Sequence, residues 1–346
     1  MTSPVASEQI QQMAATRRRL HARTKSGRGR SALVWARLSR GAGRQLAVVV
    51  LVAALGVALG FWFHTAGGAR LSAGATVFYA SIAIGAALTI GIVRELSRNT
   101  ITSVTSLGKR RAYGVLGAAP ELTPRLLRLL PPDQRSPLGC VVNEPASPFA
   151  TAFRDLQGNI TDDGVVAFIG PFASEGATTS ALCVAASAAQ QGHSAIVVDC
   201  DLRRRSLTRG FGLDPQLGVR EACERPEYWR DYVEEELETG LHFLPAAKSS
   251  SPWRTLGAEP GLRPLLKHLH EAYDLVVLDC PPALSSADGP AVARMARRCV
   301  VVAVWDQTPI GAVRQTVRSL RRNPGLVGVF VNRVPPGYRF GRLRPD

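Results

Sequence analysis

Two long uncharged runs near the N-terminus limit the folds open to this chain more than any other feature. Residues 46–63 and about 73–93 contain no Asp, Glu, Lys or Arg. Each approaches the ~20 residues that an α-helix needs to cross a bilayer core. Only residues 64–72 separate them, a short turn that holds Gly67 and Gly68. Both runs are apolar on every helical face, which suits a lipid surround better than one side of a water-soluble core. A secretory signal would start earlier and would not be followed by a second run. The pattern predicts a two-helix transmembrane hairpin over 46–93, with Gly56 and Gly60 spaced for close helix approach.

The formal charge of +15 suits a nucleic-acid binder until it is placed along the chain. Residues 1–45 hold 10 Lys/Arg and 1 acid, 46–93 only Arg70, 94–135 hold 8 Lys/Arg and 3 acids, and 136–346 hold 23 of each. The excess therefore flanks the apolar runs, as in juxtamembrane segments that meet anionic lipid. Membrane lipid, and not nucleic acid, is the partner this distribution implies. The basic flanks (Arg17 to Arg44 before the runs, Arg94 to Arg111 after them) put both termini on the cytoplasmic side. Residues 1–45 lack apolar periodicity and are rich in Arg, Ser and Gly, so they are predicted to be disordered. Residues 94–136 read as a juxtamembrane linker, 137–335 as a globular domain and 336–346 as a short tail. The six cysteines have no C-x-x-C spacing and read as reduced core thiols.

From 137 onward short β-branched runs alternate with longer helical ones. Residues 165–169, 195–198, 275–278, 299–304 and 326–331 read as buried parallel strands. Residues 178–191, 261–272, 287–298 and 309–322 read as helices. The alternation predicts an α/β fold with a doubly wound, mostly parallel sheet. Ligands in such folds sit at the C-terminal ends of the strands.

The chemistry-bearing residues fall at those ends. After the first strand come Gly170, Pro171, Phe172, Ala173, Ser174, Glu175, Gly176, Ala177, Thr178 and Thr179, then a helix. A strand, tight turn and helix N-terminus can bind an anion through backbone N–H groups and the helix dipole. Thr178 stands where a P-loop hydroxyl would hold Mg²⁺, and Ala177 stands where the P-loop lysine would reach the β- and γ-phosphates. The strict G-x-x-x-x-G-K-[ST] pattern is broken at Pro171 and Ala177, and an ordinary strand–turn–helix connection accounts for the loop taken alone. The second strand ends in Asp199-Cys200-Asp201, followed by Arg203, Arg204 and Arg205; the third ends in Asp279-Cys280-Pro281-Pro282. Two strand-end carboxylates facing a phosphate loop are what a Mg²⁺–nucleotide site needs. Either Asp alone could be a helix cap or a loop carboxylate. The three elements together, in this order, are hard to reach by coincidence.

Across residues 75–335 the sequence resembles the bacterial tyrosine autokinases that act with the chain-length regulators of exopolysaccharide and capsule synthesis. These belong to a wider group of P-loop ATPases that includes the cell-division-site and plasmid-partitioning proteins. Val115-Leu116-Gly117-Ala118-Ala119-Pro120 is similar to the family's V-L-G-x-x-P after the second membrane helix. Ala152-Phe153-Arg154-Asp155-Leu156-Gln157-Gly158-Asn159-Ile160 is similar to the opening A-F-R-T-L-R-T-N-I of the kinase domain. Val197-Val198-Asp199-Cys200-Asp201-Leu202-Arg203-Arg204 matches L-L-I-D-A-D-L-R-R, and the stretch from Tyr273 to Pro282 matches Y-D-Y-V-I-I-D-T-P-P.

The resemblance implies an ATP and Mg²⁺ site of the P-loop type in a bacterial inner-membrane protein. Gly170, Ser174, Glu175, Gly176, Ala177, Thr178 and Thr179 would line the phosphates with Arg203. Thr178 would ligate Mg²⁺ together with Asp199 and Asp279. Asp199, Asp201 and Asp279 would be the catalytic carboxylates, and Asn332 would lie near the adenine. Implied partners are polysaccharide polymerase and export proteins and further copies of the chain.

Four departures stand against a fully active kinase. Ala177 removes the loop ammonium; the tail carries only Tyr338 in place of a tyrosine cluster; Thr151 and Gln157 replace a Glu and an Arg of the opening motif, leaving Arg154; and no large external domain lies between the apolar runs. The expectation is a membrane-anchored regulator or scaffold of polysaccharide export with weak or no phosphotransfer. The alternatives are an active autokinase or ATPase using an atypical loop, and a membrane-bound partitioning-type ATPase.

Overall fold

The computed structural model describes residues 113–335, apart from 129, 161, 163, 237–239, 249–254 and 321–325, together with 84–85, 99–102 and 107. The predicted hairpin (except Ile84 and Gly85, which are helical), the N-terminal 1–45 and the 336–346 tail lie outside the described residues. Among the described residues no helix is long and apolar enough to cross a membrane. The chain divides into Met1–Arg98 and Asn99–Asp346, and the sheet belongs to the second unit.

Eight strands form one sheet: β1 (Gly114–Pro120), β2 (Val165–Ile169), β3 (Ala195–Asp199), β4 (Glu234–Glu236), β5 (Leu241–Leu244), β6 (Leu275–Asp279), β7 (Arg298–Val304) and β8 (Leu326–Val334). Their order is β1-β8-β7-β2-β6-β3-β5-β4. Every pairing is parallel except the edge pair β4–β5. The central strands β2 (VVAFI), β3 (AIVVD) and β6 (LVVLD) are apolar on both sides because helices cover both faces.

The covering helices follow from local sequence. α1 (Pro137–Asn143) and α2 (Pro148–Gly158) each begin with a serine cap, Ser136 and Ser147, whose hydroxyl accepts from the N–H of Gly139 or Ala150, and each has proline in its first turn. α2 buries Phe149 and Phe153, and Phe153 packs against Phe330 of β8 with ring centroids 5.4 Å apart. α3 (Ala177–Gln190) buries Ala181, Cys183, Val184, Ala185 and Ala188, small side chains that let it lie close against β2, β3 and β6.

Between β3 and β5 the chain forms α4 (Ser206–Gly210) and α5 (Val219–Glu224). α6 (Leu262–Ala272) buries Leu262, Leu265, Leu266 and Leu269, one face at helical spacing. α7 (Asp288–Ala293) and α8 (Ile310–Leu320) complete the cover, packing on β2 and β7.

Direction across the sheet sets the layers. β2 leads by way of α3 toward β3, whereas β6, β7 and β8 step the opposite way through α7 and α8. Right-handed crossovers running in opposite directions put their helices on opposite faces. The reversal occurs at β2, so the C-terminal end of β2 is the switch point where such a fold opens a crevice.

Two sequence expectations need correction. The helix expected over 287–298 stops at Ala293. The Arg297 N–H then donates to the Val165 carbonyl at 2.9 Å and Arg298 begins β7 against Val166, so strand pairing overrides the helix-forming composition of that stretch. The stretch read as a linker supplies β1, which pairs with β8 from Gly114 to Pro120, so the sheet starts well before residue 137. Earlier still, the Ile310 N–H donates to the Asn99 carbonyl and the Ile101 N–H to the Thr308 carbonyl, tying residues 99–101 to the β7–α8 loop.

Candidate functional site

At the switch point β2 ends in Ile169, the chain loops over Gly170 to Gly176, and α3 begins at Ala177. Two backbone positions shape the loop: Ser174 at φ 65° and Gly176, the α3 cap, at φ 90°. A Cβ on Gly176 would push aside the Asn332 amide, and the positive φ itself favours glycine there. The Asn332 amide donates to the Glu175 carbonyl at 3.3 Å, tying the end of β8 to the loop.

A cavity of about 210 Å³ opens above the loop. Its walls include Gly170, Ser174, Gly176, Ala177, Thr178 and Thr179 from the loop and helix, with Asp201, Arg204, Cys280 and Arg333 from neighbouring strand ends. The N-terminal N–H groups of a 14-residue helix face this space, so it favours an anion.

Two buried carboxylates stand at neighbouring strand ends, outside the cavity wall. Asp199 and Asp279 are paired in register across β3 and β6, with 0% and 1% exposure. Burial first, and the neighbouring carboxylates after it, push both groups above the usual carboxylate range. Their surroundings differ. Asp199 is consumed by the protein: Oδ2 accepts from the Thr208 N–H at 3.0 Å and the Thr208 hydroxyl at 2.7 Å, and Oδ1 accepts from the Asp201 N–H at 3.2 Å. The Thr178 side chain lies beside Asp279 and favours its ionised form, and Asp279 Oδ2 is buried with no partner.

Glu175 is a third buried acid. Its Oε1 accepts from the Thr308 hydroxyl at 2.7 Å, its Oε2 has no partner, and burial raises it to about 7 against that hydrogen bond. Asp201 lines the cavity and its Oδ1 accepts the Arg204 N–H at 3.0 Å.

The residues expected from sequence therefore divide. Gly170, Ser174, Glu175, Gly176, Ala177, Thr178, Thr179 and Asp201 border the cavity, and Asp279 stands off its wall beside the Thr178 side chain. Asn332 braces the loop backbone. Arg203 is exposed and absent from the cavity wall; its charge is felt by Asp288, whose carboxylate accepts from the N–H groups of Leu256 and Gly257. The arginines that do reach the cavity are Arg204, one of the three that follow the second predicted strand, and Arg333, next to Asn332; neither was given a site role from sequence. A cavity-facing arginine signals itself only through backbone geometry, and Arg333 sits at φ 56°.

All the candidate metal donors here are oxygens, the chemistry of a hard cation. Among the described residues no cluster of three or more His, Cys, Asp or Glu could hold a metal alone. That suits Mg²⁺, which takes one or two protein ligands and fills its shell with water and phosphate oxygens. The orphaned Asp279 Oδ2 beside the Thr178 hydroxyl is the matching pair. The six cysteines are free and buried, in keeping with reduced core thiols.

No protein-family model matches the chain. It is 28% identical over 214 residues to EpsB of Ralstonia solanacearum, covering 58% of this chain and 28% of that protein. It is also 28% identical over 206 residues to the succinoglycan biosynthesis transport protein ExoP of Rhizobium meliloti, covering 56% of this chain and 26% of that one. The chain thus spans about a quarter of the length of these relatives. Among solved structures, the kinase domain of the Escherichia coli tyrosine kinase Etk aligns with a TM-score of 0.58 at 20% identity, covering 68% of this chain and 95% of that domain. At that identity the likeness establishes a shared fold.

Proposed function

We propose that this chain, a relative of the bacterial tyrosine kinases of exopolysaccharide and capsule export, is a membrane-anchored regulator or scaffold of that machinery that binds Mg²⁺–ATP and transfers phosphate weakly or not at all. One observation carries the reading. The Thr178–Asp279 pair and the anion-facing start of α3 are intact, while the first helical position, where a lysine would project, is Ala177. Phosphoryl transfer depends on positioning and charge stabilisation, and loss of one preorganised group of that kind commonly costs ~10²–10³ in rate.

In the bound state Mg²⁺ would neutralise the polyphosphate and orient it. Thr178 and Asp279 are the residues that would hold it. The loop N–H groups would bind the phosphate oxygens, and Asp199, with both oxygens already bonded within the protein, would brace the turn after β3. The anchor is the apolar pair of runs within 46–93 with its basic flanks. Polysaccharide polymerase and export proteins are the proposed partners, and self-association is the proposed assembly.

The test uses the full chain, recovered from carbonate-washed membranes. Calorimetry should detect Mg²⁺–ATP binding that Asp279→Ala abolishes. Tyrosine phosphorylation should be slow and should rise by roughly 10²–10³ in Ala177→Lys. Fast autophosphorylation that Ala177→Lys does not improve would overturn the regulator reading. Release of the chain by carbonate would overturn the anchor.

A further inference from the structure

The loop lacks its own cation, yet two arginines border the cavity. Arg204 follows β3 and Arg333 ends β8, and both line the space above the loop. In the sheet, β8 and β3 each stand two positions from β2, on opposite sides. The two arginines thus come to the cavity from strands on opposite sides of the loop.

Both backbones are pinned by acceptors that belong to the site. The Arg204 N–H donates to Asp201 Oδ1 at 3.0 Å, and the Arg333 N–H donates to Asn332 Oδ1 at 2.8 Å. Arg333 is held at φ 56°, a conformation that side-chain-bearing residues rarely adopt and that other contacts must enforce. The enforcing residue, Asn332, also grips the loop through the Glu175 carbonyl. Both side chains are exposed, and neither is ion-paired to an acid among the described residues. The buried arginine between them in sequence, Arg205, is spent on Asp214 and the Ala246 carbonyl.

We propose that Arg204 and Arg333 act as a two-sided clamp on the polyphosphate of the bound nucleotide, together supplying the positive charge that Ala177 does not. The clamp rests on the reading of this cavity as a nucleotide site. A planar guanidinium can donate two parallel hydrogen bonds to phosphate oxygens, so two of them can hold a chain of phosphates from its flanks. They line the cavity and Asp279 stands off its wall, so phosphate contacts and cation contacts fall on different residues. Such a clamp binds well and positions the transferring phosphate less closely than a lysine at the helix start. It thereby accounts for binding without fast transfer.

The full chain is titrated by calorimetry with inorganic tripolyphosphate, Mg²⁺–ATP and adenosine. Arg204→Ala and Arg333→Ala should each weaken tripolyphosphate and ATP binding by about 5- to 10-fold, the range for a partly solvated charge-assisted contact. The double variant should lose about 30-fold or more, while adenosine binding is unchanged. Arg263→Ala, an exposed α6 residue outside the cavity wall, controls for net charge and should leave tripolyphosphate binding intact. Ala177→Lys placed in the double variant should restore much of the loss.

Equal affinity in the double variant and the parent would overturn the clamp. So would absence of tripolyphosphate binding to the parent, or a loss matched by Arg263→Ala. Tripolyphosphate binding that depends on both arginines, with ATP and adenosine binding no better, would keep the clamp and sink the nucleotide reading. Unchanged melting temperatures separate these outcomes from misfolding.

Discussion

Lowering the pH from 8 to 5.5 should make the α/β domain more stable, against the usual trend, and Glu175 supplies most of the calculable part. Its carboxyl is 6% exposed and titrates near 7, against an ordinary value of 4.5. An acid whose folded value lies above its unfolded value weakens the fold wherever it is ionised in both states, and the penalty fades as pH falls through the folded value. For Glu175 the penalty is about 3 kcal/mol at pH 8 and about 1 at pH 5.5, a gain on acidification of about 2 kcal/mol. Asp199 and Asp279 are raised as well and add in the same direction.

Carboxylates lowered by hydrogen bonds, such as Asp214 and Asp274, lose their contribution only at pH values below this window. At about 2–4 °C per kcal/mol for a domain of this size, Tm should rise by roughly 4–8 °C. Scanning calorimetry across this window reads the effect directly. Glu175→Gln keeps an oxygen to accept the Thr308 hydroxyl and removes the titration. It should raise Tm at pH 8 and flatten the profile. A Tm that falls steadily from pH 8 to 5.5 in the parent, or a Glu175→Gln profile as steep as the parent's, would refute the reasoning.

Two further substitutions probe the scaffold. Thr208→Val removes a fully buried hydroxyl that donates to Asp199 Oδ2 at 2.7 Å and accepts the Ala246 N–H at 2.9 Å, and it should cost about 2–4 kcal/mol in urea unfolding. Gly176→Ala combines φ 90° with a 2.2 Å approach to the Asn332 amide, whereas Gly192→Ala has φ 84° and open space around it. Both should lose about 1–2 kcal/mol from the left-handed backbone, and only Gly176→Ala should also weaken Mg²⁺–ATP binding; equal behaviour of the two would mean that Asn332 does not brace the loop.

Strand-end chemistry was legible because its signals are local. Val165 to Ile169 ending in Gly170, Ala195 to Asp199, and Leu275 to Asp279 are apolar runs that stop at a glycine or a carboxylate, and each is a strand of the sheet. What escaped was set by partners distant in sequence. β1 reads GVLGAAP, with Gly117 at φ 155° and a terminal proline, and becomes a strand only because β8 offers it a parallel edge. β4 is three glutamates, and its pairing with β5 has no apolar alternation to announce it. That Thr208, nine residues on, bonds the Asp199 carboxylate is likewise not written in the local pattern. Arg204 and Arg333 reach the cavity through turns that no periodicity encodes.

The free site stores an electrostatic cost that a ligand can relieve. Asp279 lies beside the Thr178 side chain with its Oδ2 unpartnered, at 1% exposure, and it stands beside Asp199 in register. Burying like charges together is unfavourable unless a proton or a cation joins them. A divalent cation at Asp279 would favour the ionised form that burial now opposes. A group that weakens the free domain would then strengthen the liganded one. Alanine at 177 leaves this exchange untouched, because it carries no charge that the buried acids depend on. On the proposed reading, binding can therefore persist, and can still alter the domain's stability, with alanine at this position.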